Sequence, residues 1–345
     1  MDKKDILIIN QQHTTNIGDK LIGQTMRKLL KGYKIDFAPY IPTEKYESID
    51  NYTVKKQRGK KLIDLLKINT IVNDFLFSIK IKKFLRKKDY QIAVIGGGEL
   101  LSGNLEFNSA LYIWTKYLNR RKIPVIVAGV SGNEVSKRLG KRYKCGLERC
   151  KKVYVRDHLT QSILKNQYGL KAEYYPDFVF AFEPENPISQ NIHRTVVQIY
   201  SHEYVGGGYG NLSKEEYYDI WYRKIQDNCT GSIVLSYSDK DDKKAAYDFK
   251  DYVYKTYRKE YEMQDIQSID DMLALIGNCH TILTGRMHPM ILAILLKKHI
   301  IPFITKDKIQ CFAEEWIDGP CDTKQAKQDI EKLKEYITDY ILERK

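Results

Sequence analysis

The chain has 345 residues, with 57 Lys and Arg against 44 Asp and Glu for a net charge of +13, and a hydrophobic fraction of 43%. That length suits two α/β domains better than one, and no stretch approaches the roughly 18 to 20 uncharged apolar residues that span a bilayer. The cysteines, 6 in number and without a CxxC pair, exclude a disulfide scaffold and give no zinc spacing, so they read as buried thiols.

The opening run Ile6–Ile9 reads as a buried first strand and not as an export signal, since no small-residue cleavage site follows. Directly after it stands Thr15-Asn16-Ile17-Gly18-Asp19, ahead of a helical pattern over Ile17–Leu30. Asn16 or Asp19 suits a helix cap, and Gly18 permits a tight turn. Alternatively, the same loop presents backbone N–H groups and polar side chains to a ligand.

A second strand is expected at Ile35–Ala38. The stretch from Lys55 to Tyr90 then gathers twelve Lys or Arg against three Asp. Within it, Leu62–Leu85 forms a broad apolar helix edged by Lys80, Lys82, Lys83, Arg86, Lys87 and Lys88. Two readings stand: a helix packed on the sheet with snorkelling lysines, or a basic amphipathic helix on an anionic membrane surface. No nucleic-acid motif accompanies the charge, so a membrane face or a diphosphate-linked lipid is the expected partner, and not nucleic acid.

The strand Ile92–Ile95 runs into Gly96-Gly97-Gly98-Glu99, where glycines allow close approach of the main chain to a ligand and Glu99 follows. No Lys-Ser/Thr follows as in a P-loop, and the spacing is not GxGxxG, which excludes ATPase and dinucleotide readings. A helix over Leu105–Arg120, a strand at Val125–Ala128, a helix over Glu134–Arg149 and a strand at Val153–Val155 complete the first half. Arg156-Asp157 and Tyr175-Pro176-Asp177 follow. Arg156 suits a carboxylate or phosphate, or else an Arg–Asp pair that holds loops together.

Periodicity breaks at Glu183–Ser189, giving domains 1–185 and 186–345. Strands at Val196–Tyr200, Ile233–Tyr237, Thr281–Leu283 and Ile300–Ile304 alternate with helices, the last over Gln325–Leu342. A glycine-rich loop, Gly206–Gly210, reads as a lid or as a plain solvent loop. The segment Thr284-Gly285-Arg286-Met287-His288 ends a strand and enters a helix. Arg286 supplies a fixed cationic fork and His288 a titratable proton donor where unpaired N–H groups favour an anion. The implied fold class is α/β, with two Rossmann-like domains facing a cleft on a glycosyltransferase-B-like plan.

Taken in order, these segments resemble the polysaccharide pyruvyl transferase family. That family shows an Asn-x-Gly-Asp loop, a triple glycine at a strand end, Arg-Asp and Pro-Asp segments, and Gly-Arg-x-His followed by an aliphatic helix, a strand and a Lys. Here Asn16-Ile17-Gly18-Asp19, Gly96-Gly97-Gly98, Arg156-Asp157, Pro176-Asp177, Gly285-Arg286-Met287-His288 and Lys308 stand in those places. Pro289 stands where the family usually has a small residue. The resemblance implies a cytoplasmic enzyme, also at the inner face of the membrane, moving pyruvate from phosphoenolpyruvate to a hexose of a cell-surface polysaccharide or its polyprenyl-diphosphate-linked precursor, as a cyclic ketal.

The donor is then expected on the second domain, held by Arg286, Gly285, Lys308 and Arg156, with His288 as general acid and Lys308 also among the catalytic residues. The acceptor is expected on the first domain, near Asn16, Gly18, Asp19, Gly97, Gly98 and Glu99, with Glu99 or Asp19 as base. Neither metal nor cofactor is expected. Two rivals remain. One is a sugar transferase using a nucleotide sugar, with a diphosphate at Gly206–Gly210 and the His288 helix. The other is a non-catalytic binding protein, which would be expected to lack Arg286 or His288.

Overall fold

The computed structural model describes residues 2–43, 70–184, 193–205, 209–320 and 322–343. The first half of the basic segment, part of the 183–189 break and Gly206–Gly208 lie outside the described residues. Two compact units form: 1–14, 22–181 and 324–345 in the first, 15–21 and 182–323 in the second. A single cut at 185 therefore needs correcting, because the C-terminal segment belongs to the first unit and the Asn16 loop to the second.

The first unit is built on a six-stranded parallel sheet in the order β2-β1-β3-β4-β5-β6. Its strands are β1 (Asp2–Asn10), β2 (Ile35–Pro39), β3 (Lys88–Leu101), β4 (Val125–Gly132), β5 (Lys152–Val155) and β6 (Glu173–Tyr174). Ile6–Ile9 and Ala93–Ile95 are fully buried. That is why these runs are continuously apolar and do not alternate: a parallel sheet is covered on both faces.

Helices α1 (Ile17–Leu29), α2 (Thr70–Leu85), α3 (Leu105–Arg120), α4 (Lys137–Leu147) and α5 (His158–Tyr168) connect the strands. Asn104 caps α3 by accepting from the N–H groups of Glu106 and Phe107, and Asp157 caps α5 by accepting from Thr160. Gly169, in the left-handed region, ends α5. Trp114 of α3 is buried and donates its indole N–H to the Tyr40 carbonyl at 2.9 Å.

The second unit carries a five-stranded parallel sheet ordered β11-β10-β7-β8-β9. The strands are β7 (Arg194–Gln198), β8 (Ser232–Ser236), β9 (Glu262–Met263), β10 (Thr281–Thr284) and β11 (His299–Pro302). Its helices are α6 (Lys214–Asn228), α7 (Lys240–Tyr257), α8 (Ile269–Gly277), α9 (Met287–Leu295) and α10 (Asp307–Trp316). A stack of Trp221 on Phe303, with ring centroids 3.8 Å apart, anchors its core.

The last helix, α11 (Thr323–Leu342), buries Ala326, Ile330, Leu333, Ile337 and Ile341 along one stripe. The Tyr33 hydroxyl donates to Thr338 Oγ1 at 2.9 Å, which ties that helix to the first unit. Two Rossmann-like sheets of this kind make a glycosyltransferase-B-type fold. Among the described residues no helix is long and apolar enough to cross a membrane.

Candidate active site

In open parallel sheets ligands bind beyond the carboxyl ends of the strands, where the strand order reverses. In the second unit that point falls between β7 and β10, whose continuations are Tyr200-Ser201 and Gly285-Arg286. The sheet geometry thus delivers Arg286 to the switch point.

Arg286 sits at the start of α9 in extended backbone. Its Nε donates to Asp242 Oδ2 at 2.8 Å, and its Nη2 lies 2.7 Å from the same oxygen. Asp239 Oδ2 is 3.9 Å from Nη2. The guanidinium plane covers Tyr200, 4.3 Å from the ring centroid. Asp242 is fully buried and accepts the Ser201 N–H at 3.0 Å through its other oxygen. Both carboxylate oxygens are therefore used, one to fix the end of β7 and one to fix Arg286. Such a clamp removes rotamer freedom from the arginine through its Nε and Nη2.

The carboxyl of Asp242 is pushed up to about 6, first by burial, against the pull of Arg286 and of the Ser201 N–H. Its native pKa lies above the unfolded value of 3.8. Its contribution to stability is therefore full below that value and is lost as pH rises through about 6. The thermal midpoint of the wild type should fall between about pH 5 and pH 7.5 by more than that of Asp242→Asn. Equal slopes in the two proteins would contradict this assignment.

Asn16 lies in the second unit. Its Oδ1 accepts the N–H groups of Gly18 at 2.8 Å and Asp19 at 3.3 Å, capping α1. Its Nδ2 donates to Asp239 Oδ2 at 2.8 Å, and the Ile17 N–H donates to the Ser238 carbonyl at 3.1 Å. Asp239 in turn caps α7, so one Asn–Asp contact ties two helix starts together. Gly18 faces His288: a Cβ on Gly18 would stand 2.1 Å from the imidazole Nδ1. Asn16 and Gly18, expected beside the acceptor, are thus seated with Arg286 and His288.

Gly285 is buried with Thr305 and Phe303 against it, its virtual Cβ 2.8 Å from Thr305 Cγ2 and 3.0 Å from the Phe303 carbonyl. Phe303 donates its N–H to the Thr284 carbonyl at 2.9 Å. The start of α10, where Lys308 stands half-buried, follows Thr305 directly. Geometry thus gathers Asn16, Gly18, Gly285, Arg286 and His288 in one unit, with Lys308 on the next helix.

Arg156 does not join them. It lies in the first unit, its Nη1 2.6 Å from Asp177 Oδ2, and both side chains are only 3% exposed. Its Nε and Nη2 meet Ser131 Oγ at 3.2 and 2.9 Å. Burial with a matched carboxylate fits the alternative reading of Arg156, an Arg–Asp pair that holds loops together. Asp177→Ala should cost about 3–5 kcal/mol in urea unfolding, because it strands a buried charge. Arg156→Ala should leave donor affinity of the folded fraction unchanged; loss of that affinity would return Arg156 to the site.

The switch point of the first sheet lies between β1 and β3. Gly97 takes φ 79 and Gly98 φ 102, and a Cβ on Gly97 would meet Ile22 at 2.3 Å. Gly97 is thus required by packing against α1 as well as by backbone conformation, Gly98 by conformation, and Gly96 by the Ala128 carbonyl that a Cβ there would meet at 1.9 Å. Glu99 accepts from Asn133 Nδ2 at 2.6 Å. Beside them Asn10 Nδ2 and Gln11 Oε1 are buried without a partner among the described residues.

Sequence reasoning missed Asp239, Asp242 and Tyr200. A signal for Asp242 existed: with Ala245, Ala246, Phe249 and Val253 it lies on the buried stripe of α7. A carboxylate there needs a cationic partner. Among the described residues no disulfide forms, and burial pushes the Cys150 and Cys279 thiols up to about 12 and about 11. No cluster of three or more His, Cys, Asp or Glu among the described residues suits a metal ion.

Several solved structures share the fold. Anabaena HepE, solved in complex with UDP, matches with TM-score 0.54 and 9% identity, over 97% of this chain and 90% of its own. UDP-GlcNAc 2-epimerase of Neisseria meningitidis, solved bound to UDP-GlcNAc, gives TM-score 0.53 and 10% identity, over 98% and 93%. The epimerase of Methanocaldococcus jannaschii gives 0.50 and 12%, over 97% and 99%. Identities this low show the shared fold alone. No curated protein sequence matches the chain. A family model described as polysaccharide pyruvyl transferase matches residues 16–307, ending one residue before Lys308. The match runs from the Asn16 cap to the start of α10, well over half of the sequence, and the chain belongs to the polysaccharide pyruvyl transferase family.

Proposed function

We propose that the chain transfers pyruvate from phosphoenolpyruvate to two hydroxyls of a saccharide, forming a cyclic ketal and releasing phosphate. The observation that carries this reading is the Arg286 guanidinium, clamped by Asp242 at a strand-order switch point, next to His288 in the first turn of α9. A small polyanion needs fixed cations and helix N–H groups together. Arg286 and the start of α9 provide them, with Lys308 and Gly285 as further donor contacts.

In this mechanism His288 protonates the methylene carbon of the donor, C2 becomes cationic, and a sugar hydroxyl adds to it. The phosphate C–O bond then breaks, and a neighbouring hydroxyl of the sugar closes the ketal. Of the two hydroxyl protons, one restores the acid and the other leaves with phosphate, so the balance needs no metal, oxidant or reductant. General acid catalysis by a positioned imidazole suits the first step. Glu99, or Asp19, serves as base towards the acceptor.

The acceptor belongs, in this reading, at the carboxyl ends of β1 and β3 near Gly97, Gly98 and Glu99. It is a hexose of a cell-surface polysaccharide or its polyprenyl-diphosphate-linked precursor, and the enzyme works in the cytoplasm. The fold is equally that of UDP-sugar enzymes, so nucleotide-sugar transfer is the alternative; the family match favours pyruvyl transfer. Incubation with a saccharide panel separates the two. Phosphate release from phosphoenolpyruvate with a mass gain of one pyruvyl ketal supports the proposal. Nucleoside diphosphate release from a nucleotide sugar, with no reaction of phosphoenolpyruvate, overturns it.

A further inference from the structure

Helix α2 has two apolar faces, and the fold uses one. Asn73, Phe77, Ile81 and Leu85 are buried at successive i+4 steps. The opposite face carries Ile71 at 69% exposure, Phe75 at 65%, Leu76 at 41% and Ile79 at 49%. Four of the eight large apolar side chains exposed among the described residues therefore fall within nine positions of one helix. The others are three tyrosines, each with a polar hydroxyl, and Leu342 at the end of α11.

The exposed stripe changes chemistry along its length. Wheel positions 71, 75 and 79 continue, at about the same angle, into Lys82 and Lys83, with Lys80 on the flank and the exposed Arg86 and Lys87 in the turn that follows the helix. The acid of the helix, Asp74, is turned aside into an ion pair with Arg142 at 2.7 Å. Asp36 and Lys88 pair at 3.1 Å. No carboxylate on α2 is left to cancel Lys80, Lys83 and Arg86. An apolar half-stripe that leads into a cationic half-stripe matches a phospholipid surface, with acyl chains below and anionic headgroups at the rim.

We propose that this face of α2 docks the protein on an anionic membrane surface, Phe75 and Ile79 entering the acyl boundary while Lys83 and Arg86 meet the headgroups. The helix lies on the membrane and does not cross it, and the proposal stands independently of the reaction catalysed. It answers the choice between packed and membrane-facing helix with both roles, one on each face.

Flotation of the full chain with vesicles tests it. With phosphatidylglycerol and phosphatidylcholine at equal parts, the wild type should float with the lipid. On phosphatidylcholine alone, or at high salt, binding should fall by about tenfold. Lys83→Glu with Arg86→Glu should produce a similar loss on the anionic vesicles, and Phe75→Ser with Ile79→Ser should abolish flotation. The thermal midpoint should stay unchanged in each variant, since all four side chains are exposed. Flotation equal in wild type and both double variants overturns the proposal, as does failure of the wild type to bind anionic vesicles. A wild-type dimer by light scattering that Phe75→Ser with Ile79→Ser dissociates would assign the face to a second copy and overturn it equally.

Discussion

Arg286→Lys is expected to lower kcat/KM for phosphoenolpyruvate by about 10²–10³-fold while the chain stays folded. Charge is conserved in this variant, so the loss measures geometry. Arginine spends Nε and Nη2 on Asp242 and lays its plane on Tyr200. A lysine ammonium is one point donor on a flexible stem and cannot satisfy Asp242 and a ligand at once. Asp242 is fully buried, so the shortened partner leaves a carboxylate partly uncompensated, and a modest fall in thermal midpoint should accompany the loss. Steady-state phosphate release reads the first effect and thermal unfolding the second. Activity within about threefold of wild type would show that the clamp is structural only.

Gly18→Ala should reduce turnover by about 10²-fold, although residue 18 bears no functional group. An alanine Cβ would stand 2.1 Å from Nδ1 of His288 and 2.8 Å from its Cγ, so the imidazole must move by about an ångström or more to reach a normal separation. Loss of the acid itself, in His288→Ala, should cost about 10²–10⁴-fold in kcat, with donor binding weakened but measurable. The two changes act through one group and should not add: in the His288→Ala background, Gly18→Ala should change turnover little. Full additivity would mean that Gly18 serves something other than the histidine, and normal turnover in His288→Ala would remove it as the acid.

Much of the fold is legible in the sequence because parallel strands are short, apolar and flanked by glycine or helix caps. The runs Ile6–Ile9, Ile92–Ile95 and Val125–Ala128 fall within β1, β3 and β4. The two-residue strands β6 and β9 carry too little apolar sequence to stand out, and the mixed sequence of α10, DKIQCFAEEW, does not appear among the expected helices. Strand order has no local signal at all, yet it puts Arg286 at a switch point. The same holds for chain return: the stripe on α11 shows that the helix packs, but only the tertiary structure shows it packing in the first unit.

The candidate site divides along similar lines. Gly285-Arg286-Met287-His288 is visible because a strand end, a cation and a helix start coincide in sequence. Asn16 is visible as a cap, whereas its bond to Asp239 joins positions far apart in the chain. For Arg156 a short sequence motif shows the charge and not the buried Asp177 and Ser131 that it meets.

A crystal structure of the chain soaked with phosphoenolpyruvate tests the central claim most directly. The predicted result is the donor's phosphate or carboxylate within about 3 Å of the Arg286 guanidinium and the first N–H groups of α9, with the imidazole of His288 facing the methylene carbon. A donor bound elsewhere in the molecule, with Arg286 still engaged solely by Asp242 and Asp239, would contradict it.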